Sequence, residues 1–156
     1  MTNNNAKGNG IMNIDINKNA PVIGNNEIII NVPMEKIIET LSDINNWVNW
    51  RKAVTKSELL DPLAENANFK WTADGLSYKS KIHTYKNNAF GWTGKTTGAY
   101  AVHNWYFIEN NGITTVKVEE SLEGFFIKLI KKPMQNKLNN IIINDLKDLK
   151  EECEKE

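Results

Sequence analysis

Cysteine is nearly absent. The 156 residues include one, Cys153, so no internal disulfide forms and an oxidising compartment is not implied. An excess of one charge is also missing, because 19 Lys+Arg balance 19 Asp+Glu. Dedicated nucleic-acid binders usually carry a basic excess, so no nucleic-acid partner is expected. No apolar run reaches transmembrane length, and the Asn-rich start lacks the apolar stretch of a signal peptide. The expectation is a cytoplasmic protein. Two histidines and one cysteine, far apart in sequence, offer no metal-ligand spacing, so neither a metal nor another cofactor is expected. Gly91-Trp92-Thr93-Gly94-Lys95-Thr96 echoes a phosphate loop but has neither its spacing nor a following helix. Ser80 and Ser121 have no surroundings that suggest a nucleophile. What remains is ordinary for a globular domain, 40% apolar and 24% charged, and the length suits one domain with a real core.

The patterning divides the chain. Residues 1–10 are Asn/Gly-rich and read as a disordered tail, ahead of a single domain over 11–156. Ile11 to Ile16 reads as an extra strand or an ordered arm, and Pro21 to Asn26 as a turn. Glu27 to Val32 is rich in β-branched residues and reads as a strand. Pro33 then opens a helix to Ser42, with Met34, Ile37, Ile38 and Leu41 at helical spacing. A second short helix carries Trp47 and Trp50. From Thr55 to Ser121 the period is two, with breaks at Asp61-Pro62, Asp74-Gly75, Lys86-Asn87-Asn88, Gly98 and Asn111-Gly112. Phe125 to Lys132 is an apolar and basic connector. Such a segment could touch a membrane, but more often packs its apolar side and exposes its lysines, so membrane contact is not expected. Pro133 opens a long helix. Leu138, Ile141, Ile142, Asp145, Leu146, Leu149 and Cys153 lie on or near one stripe, where only Asp145 is polar. The order is α+β: a run of antiparallel strands forming a curved sheet, with a long helix across its concave side.

The hairpin around Asn111-Gly112 predicts its own register. With these two residues in the turn, Phe107 faces Val116, Trp105 faces Val118 and His103 faces Glu120. Two successive apolar pairs support that alignment. The next pair sets an imidazole against a carboxylate on the same inward face, within hydrogen-bonding reach. Such a pair suits proton transfer; equally, it satisfies itself at a sheet end as a structural pair.

Asn31-Val32-Pro33-Met34-Glu35-Lys36-Ile37 and Leu41-Ser42-Asp43-Ile44-Asn45-Asn46-Trp47-Val48-Asn49-Trp50 resemble the opening helix pair of the SRPBCC (START-like, helix-grip) superfamily. Phe69-Lys70-Trp71, Gly91-Trp92-Thr93-Gly94, His103-Asn104-Trp105-Tyr106-Phe107 and Glu119-Glu120-Ser121-Leu122-Glu123-Gly124 resemble its polyketide cyclase/dehydrase-type branch. The likeness runs from about Glu27 to the C-terminus and rests on the order and spacing of these segments. Leu122 departs from the Trp that often follows the Glu-Glu-Ser run, and Asn49 from the usual Pro or Lys. The resemblance implies a seven-stranded antiparallel sheet gripping the C-terminal helix around a hydrophobic cavity, with two short helices between the first two strands.

The inward candidates for a ligand wall are Phe69, Trp71, Tyr78, Ser80, Ile82, Trp92, Ala101, Trp105 and Val118, covered by Leu138, Ile142 and Leu146 from the helix. His103 and Glu120 are the candidate catalytic pair. A mostly apolar wall with few polar groups fits a small-molecule site; the competing reading is a solid aromatic core. His83 falls on the opposite parity and is expected to be exposed. Three functions follow. The leading one is binding of a hydrophobic small molecule (a lipid, polyketide or aromatic-like molecule) by a monomer or homodimer. The second is a polyketide cyclase/dehydrase-like enzyme in which His103 is the acid or base and Glu120 orients it. The third is a protein-interaction module with a collapsed cavity.

Overall fold

The computed structural model describes residues 12–156; the tail expected over 1–10 lies outside them. One antiparallel sheet of seven strands dominates, in the order β1-β7-β6-β5-β4-β3-β2. The strands are β1 (Val22–Ile30), β2 (Val54–Leu59), β3 (Asn68–Ala73), β4 (Leu76–Lys86), β5 (Ala89–Thr96), β6 (Ala99–Asn110) and β7 (Ile113–Glu123). Helix α1 (Met34–Ser42), a 3-10 turn (Ile44–Asn46) and α2 (Trp47–Trp50) connect β1 to β2. After β7 come α3 (Phe125–Leu129) and the 23-residue α4 (Lys131–Cys153). Apart from the β1–β7 closure, sheet neighbours are sequence neighbours, so short turns carry the register. Asn111 and Gly112 both have positive φ (52° and 77°), the backbone of a two-residue hairpin turn that matches strand twist. The pairs Phe107–Val116, Trp105–Val118 and His103–Glu120 all form as predicted.

Several local expectations are corrected. Pro21 to Asn26 is not a turn: β1 begins at Val22 and pairs with β7 from Val22–Leu122 through Ile30–Thr114. Gly24, Asn25 and Asn26 are poor strand formers, yet sheet pairing and α4 impose the conformation. A Cβ at Gly24 would lie 2.7 Å from Ile142 Cδ1, so the bare backbone is what lets α4 settle on β1. Both expected helices form, α1 directly after Pro33 and α4 from Lys131, two residues ahead of Pro133. Pro33 supplies the extended residue ahead of α1, and the Met34 N–H is capped by Glu109 Oε2 from β6 at 2.8 Å. Pro133 sits in the first turn of α4, where its missing N–H costs little.

Residues 12–16 form an ordered arm without strand pairing. Met12 is buried, Asn13 N–H donates to Thr84 Oγ1 at 2.8 Å, and Asn104 Nδ2 donates to Ile14 O at 2.9 Å. Asn13 Nδ2 also donates to the His83 carbonyl. This arm overturns the expected exposure of His83. The residue sits at a bulge, where the β4–β5 register shifts between Ile82 and Thr84. It is only 7% exposed.

The core is aromatic at the corner of the helix pair. Trp47 donates its indole N–H to Leu41 O at 2.8 Å and meets Phe69 and Trp71 edge-on, at 5.5 and 5.8 Å between ring centres. These are favoured ring geometries in which a buried Trp also satisfies its polar tip.

Candidate functional site

Strand register explains why the concave side is open at one end and filled at the other. One row across the sheet reads Leu122, Ala101, Gly94, Ser80. Three of its four side chains are small or absent, and they leave space. The next row reads Gly24, Glu120, His103, Trp92, Ile82. Beyond it, Val118, Trp105 and Phe90 fill the interior, all completely buried. The space beside the small row is a cavity of about 260 Å³. Its walls include Trp71, Tyr78, Trp92, Ala101, Leu122 and Leu138, with His103, Glu120, Arg51 and Asp145 as polar elements. Its mouth is edged by Leu76, Thr97, Gly98, Phe126 and Ile130.

His103 and Glu120 form the pair that the register predicts. Nδ1 lies 2.7 Å from Glu120 Oε2, with the two side chains 5% and 11% exposed. A carboxylate on Nδ1 makes that nitrogen the donor, which leaves Nε2 of a neutral ring as an acceptor. Nε2 is buried and has no partner among the described residues. The imidazole lies nearly parallel to two neighbouring indoles, Trp92 at 4.4 Å and Trp105 at 5.5 Å. Its plane is therefore fixed by packing as well as by the carboxylate. Tyr78 stacks on Trp71 at 4.4 Å. Burial, with the Glu120 charge adding to it, pushes the Tyr78 phenol above its ordinary value, so it remains a neutral donor.

Of the residues expected in the wall, Trp71, Tyr78, Trp92, Ala101, His103, Glu120 and Leu138 line the cavity. Phe69, Ile82, Trp105, Val118, Ile142 and Leu146 are packed into the core instead. Ser80 lies beneath the wall, accepting the Trp71 indole N–H at 3.1 Å. The division follows the rows: period two identifies the inward face, but only neighbouring side-chain volume decides which inward residues meet space.

No protein-family model matches the chain, and no curated protein matches it. Solved structures do. A hypothetical protein, jhp0584, from Helicobacter pylori superposes with a TM-score of 0.77 at 17% identity, over 87% of this chain and 90% of that one. The Zhui aromatase/cyclase from Streptomyces sp. R1128 gives 0.76 at 10% identity, over 85% and 93%. A START superfamily protein from Mycobacterium smegmatis gives 0.71 at 11% identity, over 85% and 97%. The chain has the START-like helix-grip fold.

Within this helix-grip cavity, sequence reasoning missed several wall residues, Leu122 and Met134 among them, and one of those missed is a buried charge. Arg51 follows α2 directly and is 2% exposed. It grips Asp145 of α4 through Nη2–Oδ2 at 2.6 Å and Nε–Oδ1 at 3.3 Å. Its guanidinium lies 4.3 Å from the Trp47 ring centre and 5.1 Å from that of Trp71, within the range of cation–π attraction. Nη1 has no partner among the described residues. Two signals pointed to it. Asp145 was the one polar residue on an apolar helix stripe, and a buried carboxylate calls for a cation. Arg51 is also the only arginine in the chain, and guanidinium is the cation suited to bidentate, stacked burial. On the far side of Arg51, Trp71 and Asp145 lies a second groove of about 470 Å³, lined also by Lys52, Asp148 and Glu151. It is rich in charge, whereas the helix-grip cavity combines apolar walls with a buried donor, Arg51 Nη1, and a buried acceptor, His103 Nε2, that lack partners among the described residues.

Proposed function

We propose that the protein binds a small, flat, largely apolar molecule in the 260 Å³ cavity. The volume falls just below the usual range for ligand sites, about 300–1,000 Å³, which favours a compact one- or two-ring molecule over a long-chain lipid. The observation that carries the reading is the pairing of apolar walls with two buried groups, Arg51 Nη1 and His103 Nε2, that lack partners among the described residues. A buried polar atom without a partner costs free energy. A ligand presenting one oxygen to Arg51 and a hydroxyl or enol to His103 relieves both costs. The aromatase/cyclase among the structural neighbours is consistent with such a ligand.

The test uses anilinonaphthalene sulfonate, a hydrophobic anionic dye, with fluorescence titration and native mass spectrometry. The wild type binds one dye, and Ala101→Leu, which fills the cavity, weakens binding by about tenfold or more while leaving the melting temperature in place. Dye binding unaffected by Ala101→Leu would sink the reading.

A second reading is supported by the His103–Glu120 pair. An imidazole held in one tautomer, with its second nitrogen unpartnered at a cavity wall, is arranged for general acid–base work. In a cyclase/dehydrase-like reaction, His103 moves the proton at Nε2 and Glu120 orients the ring. His103→Asn then keeps dye affinity and abolishes turnover; loss of affinity without any turnover to lose favours simple binding. The third alternative, an interaction module, presupposes a collapsed cavity, and the open volume leaves it without support.

A further inference from the structure

The connector after β7 does not behave as such segments commonly do. Of its apolar residues only Ile127 packs inward. Phe125, Phe126, Leu129 and Ile130 are 70%, 60%, 66% and 47% exposed. Soluble surfaces show scattered apolar residues, but a cluster of this kind marks an interaction site. The cluster lies at the cavity: Phe126 and Ile130 edge its mouth, and Leu76, 43% exposed, edges it from the β3–β4 turn.

Charge is distributed to match. The chain is neutral overall, yet Gly124 to Asn144 contains Lys128, Lys131, Lys132 and Lys137 with no Asp or Glu. None of these four lysines forms an ion pair among the described residues. The preceding carboxylate, Glu123, is taken by Asn17 Nδ2 at 2.6 Å.

We propose that α3 and the start of α4 dock the cavity mouth on an anionic lipid bilayer. Phe125, Phe126, Leu129 and Ile130 enter the acyl boundary, and the lysines pair with headgroup phosphates. Apolar tips ringed by long, unpaired lysines suit a fluid anionic interface. The location adds a consequence, which rests on the cavity-binding reading. A hydrophobic ligand passes between bilayer and cavity through the Phe126–Ile130 rim without crossing water.

The test is cosedimentation of the full chain with phosphatidylcholine vesicles, with and without about one-third phosphatidylglycerol. The wild type binds the anionic vesicles and largely ignores the neutral ones. Phe125→Ser/Leu129→Ser lowers partitioning by about tenfold or more. Lys128→Ala/Lys131→Ala lowers it by about twenty-fivefold, at roughly fivefold per lysine. Phe125 and Leu129 are exposed and lie outside the cavity wall, so the serine variant keeps its circular dichroism spectrum and its dye affinity. Three results overturn the proposal: no binding to anionic vesicles, equal binding to neutral ones, or unchanged binding by the serine variant. If the vesicle pattern holds while the wild type takes up no dye, the docking surface stands and the cavity reading falls.

Discussion

Replacing Arg51 by Met is the perturbation with the largest consequence for this fold. The side chain is 2% exposed and its partner Asp145 is 4% exposed, so the variant leaves a carboxylate in the interior without its cation. Breaking a buried pair from one side costs about 3–5 kcal/mol, against a total stability for domains of this kind of about 5–15 kcal/mol. Exposed pairs cost about 0–1 kcal/mol, so the two regimes separate clearly. Replacing both partners, as Arg51→Met/Asp145→Leu, removes the stranded charge, and buried pairs exchanged for apolar residues are often neutral or better. The double variant is expected within about 1 kcal/mol of wild type. Urea unfolding followed by tryptophan fluorescence reads both numbers. A loss below about 1 kcal/mol for Arg51→Met, or no rescue by Asp145→Leu, would refute the argument. The cycle also separates stability from function. The double variant folds but has no guanidinium for a ligand oxygen, so its melting temperature responds less to the dye than that of the wild type.

Three further outcomes follow from particular contacts. Gly24→Ala places a methyl 2.7 Å from Ile142 Cδ1 and costs about 1–3 kcal/mol in the same unfolding assay; a neutral result would mean that α4 shifts freely on β1. Burial pushes His83 below its ordinary value, so the unfolded chain binds the proton more readily than the folded one. Stability from this site is full above the unfolded value and falls with pH toward the folded value. His83→Gln flattens that part of the profile, and an unchanged profile assigns the loss elsewhere. Burial also raises the Cys153 thiol, and the side chain is fully buried. A thiol-directed disulfide reagent therefore reacts slowly with the native protein and quickly in urea; equally fast reaction in both would show that the end of α4 opens.

Much of the architecture is legible in the sequence. Period-two alternation from Thr55 onward, turn residues at each break and two proline-led helices are local signals, and they carry strand order and hairpin register with them. The His103–Glu120 pair was readable because a two-residue turn fixes every pairing along its ladder. What failed locally failed for non-local reasons. Gly24-Asn25-Asn26 became strand because β7 and α4 hold them there. His83 faces outward as its parity implied, but the arm at residues 12–16 covers it.

The cavity could be expected from the inward polar groups, but not drawn. Its outline depends on Ala101, Gly94 and Ser80 falling side by side from three strands, and sequence spacing does not reveal that coincidence of volumes. Likewise Asp145 stood out alone on an apolar stripe, while its cation lay 94 positions away. The sequence by itself determined most of the elements, their order and the register of the central hairpin, because these follow from neighbours in the chain. Only the tertiary structure decided which inward residues meet space, which charge Arg51 answers and which apolar residues stay at the surface, because those depend on packing between distant elements.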